Sequence, residues 1–307
     1  MTRKWCGLLA ALALLLGGCE QLPVVTALPG PTTPSVPAAT ATPTTSATAT
    51  STPTTDPTAE PALVVSGVQN FRDVAGAGLP LAGGGQMATG VVYRSGRLSD
   101  ATAVDLDRIQ KAGVVAVYDL RTSDVAGRSP DPEIRGAENL LINLYGDVSG
   151  DVSSASVAKA KSDSVKQDKL FVTSPSRRRA LAKLLKDFAG ADGPVIVHCT
   201  YGKDRTGWVS AILQATAGVD REDIVAEYLL SNEYRAEEIE TAYAENKAAK
   251  GKTYADAKRA SDEVAAEYLE AGLDELEARY GGIDGFLKDG LGLSESVIAK
   301  IRAKLIA

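Results

Sequence analysis

The chain has 307 residues, 44% of them hydrophobic, and a net charge of −6 with a single histidine. The negative net charge argues against a nucleic-acid-binding protein, which needs a basic face. Because the chain has one histidine, a metal site with several histidine ligands is excluded. The length allows one large domain or two small ones.

Residues 1–18 have the pattern of an export signal. Two cations precede a short apolar run, Leu8 to Leu16, which is too short to span a bilayer as a stable helix. The run leads into a sequence that resembles the bacterial lipobox, in which cleavage precedes a cysteine whose thiol is then lipidated: Leu16-Gly17-Gly18-Cys19. We therefore expect a lipoprotein that Cys19 anchors to the extracytoplasmic face of the bacterial cell membrane.

The stretch at 19–61 is almost entirely Thr, Pro, Ala and Ser from about Leu22 onward. Such a composition buries too little apolar surface to offset the entropy of ordering the chain. We predict a disordered stalk here and place the folded domain at 62–307.

Within that domain, short apolar runs predict buried strands. They lie at 64–68, 91–93, 114–120, 140–144 and 195–198. Helical stretches alternate with them, and this alternation predicts an α/β fold with a central, mostly parallel sheet flanked by helices.

Three of the predicted helices have clear ends. The first begins at Ser99, an N-cap with Asp100 in its first turn, and stops at Gly113. The second follows the last strand and ends at Gly218, and Asp220 begins the third. A long charged stretch, 232–280, has only a thin apolar stripe. It is either a helical lid over a site or a helical hairpin on the surface.

The most informative segment runs from His198 to Gly207, between a buried strand and a helix. Anions bind at this junction in α/β folds, because loop N–H groups and the positive end of the helix dipole face them. Gly202 permits the turn, and the planar guanidinium of Arg205 can bind two phosphate oxygens. The pattern predicts a loop that surrounds phosphate with Thr200, Tyr201, Gly202, Lys203, Thr206 and Gly207.

The same positive features act on Cys199. They favour its thiolate, so we predict a nucleophile that forms a thiophosphate intermediate, which water then hydrolyses. Thr206 is placed to hydrogen-bond the thiolate, and His198 to orient the loop through backbone hydrogen bonds. An inert buried cysteine is the alternative, but it explains neither Arg205 nor the strand–loop–helix context.

The leaving oxygen of such a reaction needs a proton, and two carboxyl groups are candidates to supply it. Asp204 lies inside the loop, and Asp119 ends the strand predicted at 114–120. Because strand ends face the ligand crevice in such sheets, we also expect Arg121 near the phosphate. Lys203 adds positive charge, which is useful if the substrate carries a second phosphate.

The segment from His198 to Gly207 resembles the HCxxGKDRTG loop of the bacterial tyrosine-phosphatase family that includes a secreted mycobacterial phosphatase and related surface lipoproteins. The resemblance covers the body from about Ala62 to the end. It rests on further segments: Asn70-Phe71-Arg72-Asp73, Tyr93-Arg94-Ser95, Asp119-Leu120-Arg121, Tyr228-Leu229-Leu230-Ser231-Asn232 and the tail from Tyr280 to Ser294. Two positions depart from the pattern: Tyr201 stands where a small residue is usual, and Ala75 replaces a glycine.

The resemblance implies a cysteine-phosphatase fold without metal or other cofactor. It implies action on phosphotyrosine, and often on phosphoserine, phosphothreonine and phosphoinositides, so the expected partner is a phosphorylated protein or a phosphoinositide. It favours Asp204 as the acid and a lid at 232–280.

Two other classes of protein remain to be distinguished. Sulfur transfer or arsenate reduction also uses a loop cysteine before a helix, but arsenate reduction usually needs resolving cysteines, and the chain has only Cys6 and Cys19 besides Cys199. A surface lipoprotein that binds phosphorylated ligands without turnover is expected only if Cys199 or Arg205 is lost.

Overall fold

The computed structural model of the chain describes residues 63–146 and 155–307. The chain divides into two units, Met1–Pro57 and Thr58–Ala307, and every described residue belongs to the second. The predicted export signal, the lipidation site at Cys19 and the predicted stalk at 19–61 therefore lie outside the described residues. Among the described helices, none is both long and apolar enough to cross a membrane.

One sheet forms the centre of the described domain, with the strand order β1-β2-β5-β3-β4. Its strands are β1 Arg72–Asp73, β2 Val92–Ser95, β3 Ala116–Asp119, β4 Glu138–Leu141 and β5 Val195–His198. β1 pairs antiparallel with β2 at one edge, and the other pairings are parallel. The predicted mostly parallel sheet is therefore confirmed.

The helices lie between and after these strands. α1 spans Ala103–Lys111 and α2 Ser123–Arg128, and α3 and α4 span Val157–Thr173 and Pro175–Gly190. After β5 come α5 Asp204–Ala217, α6 Arg221–Glu233, α7 Ala236–Lys250, α8 Lys252–Asp262 and α9 Ala266–Tyr280. A short α10 Ile283–Gly285, a π-helical turn Phe286–Gly290 and α11 Glu295–Leu305 complete the domain.

The strand predicted at 64–68 is wrong. Val65 and Val68 are buried as the apolar run requires, but the backbone there forms bends rather than a strand. The N–H groups of Ser66 and Gly67 each donate to the Asp105 carboxylate at 3.2 Å, so the segment lies across the start of α1. This apolar run therefore packs against the start of α1 instead of pairing in the sheet.

The predicted start of the first helix is also wrong. Leu98–Asp100 forms a separate 3-10 turn, and α1 begins only at Ala103, with Thr102 as its N-cap. Thr102 and Asp105 make a capping box, in which each side chain accepts a hydrogen bond from the other residue's backbone N–H. This reciprocal pair outweighs the weaker cap that Ser99 offers.

α5 is the buried helix that follows the loop predicted to bind phosphate. Most of its side chains are buried, and it ends at Gly218 as predicted, with that glycine in the left-handed region. Trp208 stacks on Phe171 of α3, with ring centroids 5.6 Å apart. A side chain at Gly207 would lie 2.7 Å from the Tyr228 ring, so only glycine lets α6 pack this closely. The packing fixes the first turn of α5 firmly.

Candidate active site

The carboxyl end of β5 opens into the loop predicted to bind phosphate. β5 lies between β2 and β3, and in register His198 pairs with Ser95 on one side and with Asp119 on the other. The loop from Cys199 to Lys203 joins this strand end to the N-terminus of α5. The carboxyl end of a central strand and the positive end of the α5 dipole thus meet at this short loop.

Gly202 has the strictest conformational requirement in the loop. Its φ is +66°, and a Cβ there would lie 2.4 Å from the carbonyl group of Ser95. Asn70 Nδ2 donates to the carbonyl of Gly202 at 2.8 Å, and Arg94 Nη2 donates to the same oxygen at 2.8 Å. The loop is held from outside through its carbonyl groups, as a phosphate-binding loop needs because its N–H groups must face the anion.

A buried ion-pair network supports these two donors. Glu227 on α6 lies 2.6 Å from Arg72 Nε and 2.5 Å from Arg94 Nη1. All three side chains are buried. The sequence segments containing Asn70, Arg72 and Arg94 carry the resemblance described above, but no direct role was predicted for them. Their role in the structure is to hold the backbone of the loop.

Cys199 is almost fully buried, with 2% of its surface exposed. Burial has the largest effect and raises its pKa, but the charge of Arg205 and hydrogen bonds from Thr206 lower it more in sum. The net result is a pKa below the ordinary value of the thiol. The nearby Asp204 carboxylate acts in the opposite direction.

The guanidinium of Arg205 is held at the back of the loop. Nη1 donates to the carbonyl of Leu120 at 3.3 Å, and Nη2 donates to Thr200 Oγ1 at 3.4 Å. Its Cζ lies 4.4 Å from the centre of the Tyr145 ring, and that of Arg177 lies 4.8 Å from the same ring. Tyr145 was not predicted from the sequence, since an isolated tyrosine has no motif around it. Burial raises its pKa to about 12.

Lys203 and Asp204 contact each other at the start of α5. Lys203 Nζ donates to Asp204 Oδ1 at 3.0 Å, to the carbonyl of Ser261 at 2.8 Å and to that of Glu263 at 3.4 Å. The three N–H groups of the ammonium thus have three acceptors, two of them at the end of α8. Asp204 remains partly exposed.

Asp119 and Arg121, predicted near the phosphate, belong to a buried charged cluster with Asp131 and His198. Arg121 Nε donates to Asp119 Oδ1 at 2.8 Å, and Arg121 Nη2 lies 2.7 Å from Asp119 Oδ2 and 2.8 Å from Asp131 Oδ2. His198 Nε2 lies 3.0 Å from Asp131 Oδ2. Asp131 lies in the loop after α2, and no motif in the sequence marks it.

Part of this cluster has the spacing of a metal site. Ligand atoms of Asp119, Asp131 and His198 lie within 4.8 Å of one another. The guanidinium of Arg121, however, already bridges both carboxylates and would repel a cation. The donor set therefore fits an internal ion-pair network better than a metal.

Tyr201 lies on the rim of the loop, with 41% of its surface exposed. The guanidinium of Arg235, a buried residue between α6 and α7, stacks on its ring at 4.8 Å. Arg235 Nη1 also donates to the carbonyl of Asp262 at 2.6 Å. Tyr201, the residue that departs from the pattern of the resemblance, thus packs against Arg235 of the helical stretch predicted at 232–280.

Known proteins of one family are similar to this chain. The sequence pattern of a family described as "Tyrosine phosphatase family" matches residues 63–307. The chain is 31% identical over 277 residues to the triple specificity protein phosphatase PtpB of Mycobacterium tuberculosis, covering 78% of this chain and 97% of that protein. It is also 31% identical over 217 residues to a tyrosine-protein phosphatase of Nostoc commune, covering 68% and 71%. The crystal structure of P. aeruginosa TpbA matches 46% of this chain and 68% of its own, with a TM-score of 0.28 and 18% identity.

Proposed function

We propose that this chain, which belongs to the tyrosine phosphatase family, hydrolyses phosphate monoesters through a phosphocysteine formed at Cys199. The observation that carries the proposal is the loop from β5 into α5, which places the buried Cys199 thiol at the start of a helix whose first turn contains Arg205. The charge of Arg205 lowers the pKa of the thiol against the effect of burial. An inert buried cysteine has no need of such a partner.

The reaction has two steps. In the first, the Cys199 thiolate attacks phosphorus, the bond from phosphorus to the ester oxygen breaks, and the leaving oxygen takes a proton from Asp204. In the second, Asp204 removes a proton from water, the water oxygen attacks phosphorus, and the sulfur leaves as the thiolate. Arg205 and the loop N–H groups bind the phosphoryl oxygens throughout.

The contacts of the two candidate acids support Asp204 in this role. Both oxygens of Asp119 accept hydrogen bonds from Arg121, whereas Asp204 is partly exposed and contacts Lys203 through one oxygen. A carboxyl group that must give and take a proton in each cycle needs an oxygen free to reach the substrate.

Phosphotyrosine is the substrate class that the rim of the site supports best. Tyr201 offers an exposed aromatic ring beside the loop, where the ring of a phosphotyrosine can pack. A second phosphate, as in a phosphoinositide, would have to draw Lys203 away from Asp204, Ser261 and Glu263. We propose that phosphotyrosine is preferred over phosphoinositides.

Steady-state hydrolysis of an aryl phosphate tests the mechanism. Cys199→Ser should abolish turnover while leaving the fold and phosphate affinity intact, because serine cannot supply a thiolate. Turnover that remains in the Cys199→Ser variant would contradict the mechanism. The same assay on phosphotyrosine and phosphoserine peptides and on phosphoinositides tests the preference.

We further propose that the enzyme acts at the extracytoplasmic face of a bacterial membrane, held there by a lipid on Cys19. The support is the lipobox-like sequence before Cys19. Fractionation of cells that express the full chain tests it: Cys19→Ser should move activity from the membrane fraction to the soluble one, and an unchanged distribution would contradict the anchor.

A further inference from the structure

The two faces of the Tyr201 ring have different surroundings. The guanidinium of Arg235 covers one face, with its Cζ 4.8 Å from the centre of the ring. Tyr201 is 41% exposed, whereas Arg235 is 3% exposed. The accessible part of the tyrosine is therefore the edge of the ring and the face that points away from Arg235. This accessible face belongs to a residue only two positions after Cys199 in the chain.

Arg235 is the polar group that fixes the direction of this ring. The backbone of Tyr201 is held separately, because Asn70 Nδ2 donates to its carbonyl at 3.2 Å. The hydroxyl of Tyr201 makes no hydrogen bond within residues 63–146 and 155–307. A side chain without such a bond has several staggered rotamers open to it. The stacked guanidinium selects among them.

Arg235 is suited to this role because it is itself held in place. It lies in the turn between α6 and α7, where its carbonyl accepts a hydrogen bond from the N–H of Ile239 at 3.0 Å. Its Nη1 donates to the carbonyl of Asp262 at 2.6 Å. Asp262 is the last residue of α8, and the carbonyl end of a helix attracts a cation. The end of α8 thus holds the guanidinium that contacts Tyr201.

No carboxylate competes with the ring of Tyr201 for this cation in the described part of the chain. Arg235 forms no ion pair with an acid there, and its buried Nε has no hydrogen-bond partner there. A desolvated guanidinium gains more from an aromatic face than one that is exposed to water. The contact between Arg235 and Tyr201 is therefore of the stronger kind.

We propose that Arg235 is a positioning residue that determines specificity: it holds the ring of Tyr201 so that its accessible face packs against the ring of a phosphotyrosine. Arg235 acts through Tyr201 and does not touch the substrate. The substrate ring completes a stack of guanidinium, tyrosine and phosphotyrosine, whereas a phosphoserine has no ring to place there. This rests on the proposed function in taking the loop from Cys199 to Lys203 as the phosphate site.

Two simpler effects of Arg235 predict a different pattern. A cation near an anion-binding site raises the affinity for every phosphate ester, whatever its leaving group. A residue that only supports the helical stretch would, when replaced, weaken the binding of all substrates alike. A guanidinium that acts through an aromatic ring affects only substrates that carry a ring. The ratio of the affinities for phosphotyrosine and phosphoserine therefore separates the proposed role from both.

The experiment measures the Kd of two peptides that differ only in carrying phosphotyrosine or phosphoserine, by calorimetric titration of the full chain with Cys199→Ser. This background prevents turnover during the titration. Adding Arg235→Met should raise the Kd of the phosphotyrosine peptide about threefold, because the Tyr201 ring then divides among three staggered rotamers. The Kd of the phosphoserine peptide should stay unchanged.

Two further variants test whether the effect passes through Tyr201. In a Tyr201→Ala background, Arg235→Met should raise the Kd of the phosphotyrosine peptide no further, because the ring through which it acts is absent. Arg259→Met is the matched control. The guanidinium of Arg259 stacks on Tyr243 at 4.1 Å within the same helical stretch, and its loss should leave both Kd values unchanged.

Steady-state kinetics of the chain with Cys199 intact adds a second readout. Arg235→Met should raise KM for the phosphotyrosine peptide about threefold and leave kcat unchanged, because only binding depends on the direction of the ring.

Four results would overturn the proposal: a rise in Kd for both peptides, an unchanged or lower Kd for the phosphotyrosine peptide, a further rise in the Tyr201→Ala background, or an equal effect of Arg259→Met. If Arg235→Met does not fold, Arg235→Gln is measured by the same criteria. Binding requires no turnover, so failure here is separate from failure of the phosphatase assay.

Discussion

The groups around Cys199 have opposing effects on its ionisation. Burial raises the pKa of the thiol most, Asp204 raises it further, and Arg205 and Thr206 together lower it below its ordinary value. The thiolate is therefore present above this lowered pKa and is lost as the pH falls through it. Arg205, proposed above to bind phosphate, thus also favours the charged form of Cys199.

Replacing Arg205 with methionine separates these two effects. Arg205→Met removes the largest influence that lowers the pKa of Cys199, so the pKa should rise. Alkylation of Cys199 should need a higher pH in this variant, independently of any loss of phosphate binding. Arg179→Met, at an exposed cation of α4, serves as the control. An unchanged midpoint in Arg205→Met would contradict the account.

The general acid can be identified from its substitution, because the resulting decrease in kcat should depend strongly on the leaving group. Asp204→Asn should lower kcat about 10²–10⁴-fold for an alkyl phosphate, whose leaving oxygen needs a proton. The loss should be much smaller for an aryl phosphate with an acidic phenol. If Asp119→Asn shows that dependence on the leaving group and Asp204→Asn does not, the roles are reversed.

The sequence predicts the reacting residues better than it predicts their supports. Cys199 and Arg205 lie in a contiguous motif whose spacing is fixed by the turn into α5, so the sequence alone brings them together. Tyr145 and Asp131 reach the site from separate loops. Their positions depend on tertiary packing, and no local pattern marks them.

At the scale of secondary-structure elements, Glu227 connects α6 to the sheet and to the loop. It pairs with Arg72 of β1 and Arg94 of β2, and Arg94 in turn donates to the carbonyl of Gly202. The sharp turn at Gly202 is thus fixed by a helix that follows it in the chain.

Neutralising Glu227 should therefore destabilise the domain strongly. Glu227→Gln leaves two buried guanidinium groups without their shared counter-charge, and breaking such a buried pair costs about 3–5 kcal/mol. Chemical denaturation measures the loss. Glu233→Gln, at an exposed position of the same helix, should change stability by less than about 0.5 kcal/mol. Equal effects from the two substitutions would rule out the role given to Glu227.

The sheet was predictable because its central strands overlap short apolar runs, and β5 matches its predicted bounds. The strand predicted at 64–68 was wrong because its apolar run had no partner strand. Val65 and Val68 bury their side chains without joining the sheet, and the two-residue β1 is too short to leave any pattern. Burial could be read from the sequence at these positions, but strand pairing could not.

At the scale of the whole domain, the helical stretch after α6 contacts the loop predicted to bind phosphate through the segment from Ser261 to Val264. Lys203 donates to two carbonyls of this segment, and Arg235 donates to a third. Asn232 binds the backbone of Val264 twice, once as donor and once as acceptor, each at 2.8 Å. Whether the stretch is a lid or a surface hairpin stays a prediction, but these contacts show where it would have to open.

Releasing the Asn232 contact tests the lid directly. Asn232→Ala removes two hydrogen bonds worth about 2 kcal/mol together, so openings of α8 should become roughly 30-fold more frequent. Hydrogen exchange should accelerate over 252–264 and stay unchanged in β2, β3 and β5. Asn246→Ala, which removes one hydrogen bond within α7, is the control. If the stretch is a lid, alkylation of Cys199 should accelerate together with exchange, because opening exposes the thiol. Faster exchange with unchanged alkylation would instead identify a surface hairpin that does not control access to the site.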